Sequence, residues 1–163
     1  MIYHDPPDAA ARLRPIAPRG ARFLAQPGGR LGDRLAHGSE LLLAAGYDAC
    51  VILAADSPFA VAGADWLPRT PDEVVLGPCA DGGYWFVGLA RPAAIFGCEM
   101  SRDDVLEQTI AAAAALGRPV RVLEPELDID TVEDLELAEQ RGLLERAPRT
   151  RRVWESARSR ASR

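Results

Sequence analysis

Acidic residues follow apolar stretches at two points of this chain. Asp56 comes directly after the apolar run of residues 49–55 and precedes Ser57 and Pro58, and Asp81 lies within PCADGGY, residues 78–84. In open α/β sheets the ligand crevice lies outside the carboxyl ends of the strands. Carboxylate oxygens are preferred ligands of Mg²⁺ and Mn²⁺. These positions therefore predict a site for a divalent metal or a polar ligand.

Asp56 is the first candidate metal ligand. Pro58 restricts the backbone of Ser57 to extended conformations, which helps to fix how Asp56 leaves the sheet. Magnesium sites often use one or two protein carboxylates together with phosphate oxygens and waters. Asp56 alone could thus anchor a metal–nucleotide. The alternative is that it forms a turn or caps a helix.

Two further acidic segments also have a structural alternative. Asp81, Gly82 and Gly83 make a good hairpin turn, because glycine reaches positive φ without steric strain. In a site, the glycines would let a substrate approach the backbone while Asp81 accepts hydrogen bonds from a sugar hydroxyl or acts as a base. Asp128 and Asp130 would face one side of an extended segment and add a metal ligand. Alternatively, Asp130 caps the last helix.

Composition indicates one globular domain. The chain has 163 residues, of which 48% are hydrophobic and 26% charged, values typical of globular proteins. No apolar stretch approaches the length of a membrane span, and the first twenty residues do not resemble a signal peptide. We therefore expect a cytoplasmic protein. The odd cysteine number and wide spacing indicate neither a disulfide framework nor a zinc site.

Charge is distributed unevenly along the chain. Residues 146–163 contain seven arginines and one acid, a net charge of +6, so the total of −5 leaves −11 on residues 1–145. An acidic body makes nucleic acid an improbable partner. We expect a domain over residues 1–145 and a disordered tail over residues 146–163. Lysine is absent, which excludes a lysine nucleophile.

Strand and helix patterns alternate along the acidic body. Strands are predicted at residues 21–25, 49–55, 73–77, 84–89 and 120–123, and helices at 31–45, 62–67, 102–116 and 132–141. Ser101 and Thr131 are expected to cap the last two helices. The continuous apolar run at residues 49–55 predicts the centre of the sheet. This alternation indicates an α/β sandwich with a mainly parallel sheet.

Five ordered motifs resemble one bacterial family of small GT-A-like transferases, labelled selenodomain-associated or arsenosugar-biosynthesis glycosyltransferases. They are residues 26–34 (QPGGRLGDR), 55–58 (ADSP), 75–78 (VLGP) with 81–84 (DGGY), 105–109 (VLEQT), and 128–131 (DIDT) with 133–135 (EDL). The resemblance covers roughly residues 23–141. Five motifs in one order are far more specific than any one of them.

The resemblance implies a GT-A-like fold, that of the nucleotide-diphospho-sugar transferases, as a three-layer sandwich. It also implies a metal-dependent glycosyltransferase that takes a nucleotide-sugar donor, a small-molecule acceptor and Mg²⁺ or Mn²⁺. The implied roles are metal binding for Asp56 and Asp130, catalysis for Asp81 and Asp130, and substrate binding for a further set of residues. That set is Ser57, Gly82, Gly83 and Tyr84.

The chain also departs from this family. The usual first strand and its nucleotide-binding loop have no counterpart before Ile16, so we expect an N-terminally truncated version of the fold. Unpaired backbone beside a missing strand would favour a homo-oligomer. Two alternatives to the glycosyltransferase stay open. One is a nucleotidyltransferase that uses a nucleoside triphosphate, and the other is an inactive remnant or a domain that needs a partner.

Overall fold

Two β-sheets of different size form the framework of the protein. The computed structural model describes residues 1–60, 63–100 and 102–161. The larger sheet contains β3 (Cys50–Leu53), β4 (Val74–Pro78), β5 (Tyr84–Leu89) and β6 (Val120–Val122), in the spatial order β3-β5-β4-β6. The smaller sheet pairs β1 (Ile2–His4) in parallel with β2 (Phe23–Ala25).

Helices connect and cover the strands. They are α1 (Ala10–Leu13), α2 (Leu31–Ala44), α3 (Val105–Ala115), α4 (Val132–Gln140) and α5 (Pro148–Ala161), with 3-10 turns at Ala64–Trp66 and Leu143–Arg146. Thr131 caps α4 as predicted, because its hydroxyl accepts from the Asp134 amide. Ser101, the expected cap of α3, lies outside the described residues. None of the described helices has the length and apolarity needed to cross a membrane.

Three of the four strands of the larger sheet point in the same direction, but two of its three strand pairs are antiparallel. β3 and β4 both run antiparallel to β5, and β6 runs parallel to β4, so β5 alone among these four strands is reversed. The predicted α/β class is confirmed. The prediction that residues 49–55 form the sheet centre is wrong, because β3 lies at one edge and pairs with β5. An apolar run reports burial of the two faces of a strand, not the number of its hydrogen-bonded neighbours.

Apolar side chains cover both faces of the larger sheet. Since side chains alternate along a strand, Val74 and Leu76 belong to the cluster under α2 and α3, whereas Val75 belongs to the opposite one. The first cluster also contains Val87, Leu89, Ile95, Phe96 and Ala113, and the second contains Trp85 and Phe86, with Trp66 packed against it. The sheet is therefore the middle layer of a sandwich.

The arginine-rich segment, expected to be disordered, is the helix α5 in this structure. Trp154 on α5 is only 8% exposed and packs in a third apolar cluster with Ala138 of α4 and Leu144. The indole Nε1 donates to Glu139 Oε2 at 3.3 Å. The helix thus rests on the end of the body that follows β6.

One nearly buried ion pair ties β6 to the start of β4. Glu73 accepts from Arg121 Nε at 3.0 Å and from the Arg69 amide at 2.6 Å, and only 12% of its side chain is exposed. We expect Glu73→Gln to lower the free energy of unfolding by about 2 kcal/mol at pH 7, the scale of a hydrogen bond to a charged group. Urea unfolding measures this loss.

The Glu73 pair also makes stability depend on pH. The hydrogen bond from Arg121 holds the pKa of Glu73 below its ordinary value. The contribution of this pair to the free energy of unfolding is therefore fully present above the ordinary glutamate pKa. It is lost as the pH falls through the lowered pKa. The difference between Glu73→Gln and wild type should disappear in acid. Asp72→Asn is the control, since its pair with Arg91 is exposed and contributes at most about 1 kcal/mol.

Candidate active site

The hairpin between β4 and β5 carries two potential metal-ligand residues of the site, Cys79 and Asp81. The predicted turn is present: Gly82 has φ +88°, and Asp81 Oδ1 accepts from the Gly83 amide at 2.9 Å. The Gly82 carbonyl accepts from the Leu106 amide at 2.9 Å. The turn is thereby fixed against the start of α3, which holds Asp81 in place.

The segment after β6 brings two more carboxylates to the hairpin. The Glu126 amide donates to the Pro78 carbonyl at 3.1 Å, and the Ile129 amide donates to the Asp56 carbonyl at 2.9 Å. These bonds place Asp128 and Asp130 between the ends of β4 and β3. Asp130 does not cap α4, because Thr131 occupies that position.

Three potential ligand groups converge at this point. Ligand atoms of Cys79, Asp81 and Asp128 all lie within 4.8 Å of one another. Asp56 and Asp130 line the same cavity but do not belong to this group of three. The structure thus joins Asp81, a predicted site residue, to Asp128, whose spacing indicated a metal ligand, and to Cys79. Sequence reasoning misses Cys79, since an isolated cysteine is most often a buried apolar residue.

Burial and like charge raise the pKa values of two groups in this cluster. Partial burial, followed by the charges of Asp81 and Asp130, raises the pKa of Asp128. Burial raises the pKa of Cys79 to about 12, and the neighbouring charges of Asp128, Asp81 and Asp56 contribute. The thiol is therefore protonated at neutral pH. The two carboxylates offer oxygen ligands of the kind that Mg²⁺ and Mn²⁺ take in proteins.

A cavity of about 780 Å³ opens beside the cluster. Four aspartates line it, and no arginine or histidine does so among the described residues. Apolar side chains of α2, β3 and β5 form the rest of its wall, including Leu35, Ile52 and Val87. This size is within the range of small-molecule sites. The four carboxylates make this cavity wall acidic.

The predicted substrate-binding residues divide into two groups. Gly83 and Tyr84 line the cavity, and burial raises the pKa of Tyr84 to about 12, so its hydroxyl is neutral. Gly82 faces the Asp103 backbone. Ser57 is 8% exposed, and its hydroxyl has no hydrogen-bond partner among the described residues. The structure thus places Gly83 and Tyr84 beside Asp81, while Gly82 and Ser57 lie outside the cavity wall.

The protein is an α/β sandwich with an acidic cavity at the strand ends. Comparisons with known proteins agree on the fold. Residues 1–102 match the family described as "Uncharacterized protein conserved in bacteria (DUF2064)", and the chain belongs to that family. A crystal structure from Desulfovibrio desulfuricans G20, provisionally described as a nucleotide-diphospho-sugar transferase, is similar over 94% of this chain and 74% of its own, with a TM-score of 0.68 and 23% identity. No curated protein matches the chain.

The structural similarity confirms the expected fold. At this identity it shows that the chain shares the fold of the Desulfovibrio protein, and it does not show an activity. The function has to be argued from the cavity and its acidic cluster.

Proposed function

We propose that this protein is a metal-dependent transferase that moves a sugar from a nucleotide-diphosphate donor to a small acceptor. The observation that carries the proposal is the cluster of Cys79, Asp81 and Asp128 at the wall of a cavity of about 780 Å³. The fold shared with the Desulfovibrio protein supports it. The finer resemblance to selenodomain-associated or arsenosugar-biosynthesis enzymes is part of the same proposal.

Each acidic residue has a proposed role. Asp81 and Asp128 would hold Mg²⁺ or Mn²⁺, and Asp56 and Asp130 lie on the wall of the same cavity. A metal held there would neutralise charge on the departing diphosphate. Asp130, which is not one of the three clustered groups, would accept the proton of the acceptor hydroxyl.

The neutral residues of the cavity would position the substrate. The Tyr84 hydroxyl stays protonated and donates to Met100 Sδ at 3.8 Å, so Tyr84 would offer the substrate an apolar contact on the cavity wall. The Gly83 backbone lies open beside Asp81, because a glycine leaves no side chain between the turn and a ligand.

Loss of metal binding on substitution tests the ligand set. We expect Asp128→Asn and Asp81→Asn each to weaken Mn²⁺ binding about tenfold or more, since each removes a negative ligand worth at least roughly 1.4 kcal/mol. Isothermal titration calorimetry measures the affinity. Asp48→Asn is the matched control, because Asp48 is exposed and lies outside the cavity wall. Wild-type affinity in Asp128→Asn would remove this residue from the site.

Thermal unfolding with Mn²⁺ and a panel of nucleotide sugars and nucleoside triphosphates tests the donor class. A ligand present at one hundred times its dissociation constant stabilises the fold by about 2.7 kcal/mol. A metal-dependent shift with one nucleotide sugar supports the proposal and identifies the donor. A shift with a triphosphate alone would instead indicate a nucleotidyltransferase, and no shift from a folded protein would contradict both activities.

A further inference from the structure

The two sheets of this protein each present a free strand edge to the same cavity. Among the described residues, β1 pairs with β2 and β3 pairs with β5. Ile2 and Tyr3 of β1 line the cavity, and so do Val51 and Leu53 of β3. We call the space between these four residues the interstrand cleft.

The free edge of β3 has hydrogen-bonding groups that point away from β5. Ala54 and Trp85 are opposite each other in the β3–β5 register, and the Ala54 amide donates to the Trp85 carbonyl at 2.8 Å. Residues that bond across an antiparallel ladder alternate with residues that do not. The amide and carbonyl groups of Val51 and Leu53 therefore face the interstrand cleft.

The free edge of β1 has the same arrangement. The Ile2 amide donates to the Arg22 carbonyl, and the His4 carbonyl accepts from the Gln26 amide, each at 2.7 Å. In a parallel pair, alternate residues of a strand bond to the neighbouring strand, so the backbone groups of Tyr3 face the cleft. The side chain of Gln26 donates to the Tyr3 carbonyl at 3.0 Å and occupies one bonding position of this edge.

Apolar layers continue past the cleft on both faces of the sheet. Val51 packs against the cluster of Trp85 and Phe86, whereas Ile52 packs against the opposite cluster under α2. A strand next to β3 would be buried on both faces, which requires a continuous apolar sequence. Four aspartates line the rest of the cavity, and their charge disfavours acidic residues within the added strand.

We propose that the interstrand cleft binds an extended, continuously apolar polypeptide segment without acidic residues, which pairs with β3 and β1 and joins the two sheets. Addition of a strand to a free edge gives affinity through main-chain hydrogen bonds. The occupied cleft would satisfy the amide and carbonyl groups of Val51 and Leu53 and the amide of Tyr3, whose carbonyl already accepts from Gln26. The strand would occupy the part of the cavity between β1 and β3, and the cluster of Cys79, Asp81 and Asp128 would line the remaining part. The binding test does not use the proposed transferase activity.

A labelled peptide tests this inference. The probe is about six valine, isoleucine and alanine residues, a usual strand length, flanked by arginines for solubility. The control peptide has the same flanks and backbone N-methyl groups at alternate positions, which remove its amide donors. Fluorescence anisotropy should show saturable binding of the probe and binding of the control that is weaker by roughly tenfold or more. Equal binding of the two peptides would overturn the proposal.

Substitution at Leu53 tests the protein side. Leu53→Pro removes a cleft-facing amide without removing a β3–β5 bond, a position where an edge strand tolerates proline. Leu53→Ala keeps the amide and loses a side chain that is 47% exposed. We expect Leu53→Pro to abolish peptide binding and Leu53→Ala to retain it. Equal loss in both variants, or a wild-type dimer that Leu53→Pro dissociates, would overturn the proposal. If Leu53→Pro fails to fold, the difference in affinity of the wild-type protein for the probe and the N-methylated peptide tests the proposal by itself.

Discussion

Replacing Gly82 with alanine should destabilise the protein by about 3 kcal/mol and weaken Mn²⁺ binding. A Cβ at this position would lie 1.7 Å from the Asp103 carbonyl oxygen, an overlap with backbone that a rotamer change cannot relieve. The φ of +88° adds conformational strain for any residue with a side chain. Overpacking and strain of this kind each contribute roughly 1–3 kcal/mol.

The same substitution would disturb the acidic cluster. Relief of the overlap requires the hairpin to move away from Asp103, which lengthens the bond between the Gly82 carbonyl and the Leu106 amide and displaces Asp81. Urea unfolding and calorimetric titration with Mn²⁺ measure the two effects. Gly97→Ala is the control, since its Cβ would meet no atom within 4 Å and its φ is not positive. A Gly82→Ala protein as stable as wild type would contradict the tight packing of the turn.

Local sequence patterns were sufficient to predict most elements of the body. Apolar runs bounded by turn residues identified β2 to β6, and helical patterns identified α2, α3 and α4. β1 was missed because three residues ahead of a proline-rich segment give no periodic signal. The helix α5 was missed because its composition is mostly arginine and polar residues, while its attachment depends on Trp154 and its contact with α4.

The candidate site was predictable only in part. Asp81 could be proposed because it follows a predicted strand, where open sheets place their ligands. Asp128 could be proposed because its spacing from Asp130 puts both carboxylates on one side of an extended segment. The proximity of Cys79 to Asp128 results from the backbone bond between Glu126 and Pro78, a pairing between segments distant in sequence. The edge position of β3 is also a property of strand order. Neither feature leaves a local pattern in the sequence.

Trp154→Ala is expected to detach α5 and to reduce the free energy of unfolding by about 3–5 kcal/mol, the usual range for truncation of a buried aromatic residue. Trp154 is 8% exposed and packs with Ala138 and Leu144. Its indole also donates to Glu139. An isolated helix of this length is marginal in water, so α5 should lose its structure when this contact is removed. Urea unfolding and far-UV circular dichroism measure both losses.

Val153→Ala is the matched control for the neighbouring position. Val153 is 70% exposed, so its truncation should change stability by no more than about 0.5 kcal/mol. Hydrogen exchange can assign the effect, since amides of residues 149–161 should lose protection in Trp154→Ala while those of β4 and β5 keep theirs. Equal stability of the two variants would show that α5 is not attached to the body through Trp154. The arginine-rich segment would then behave as the solvated tail that its composition predicts.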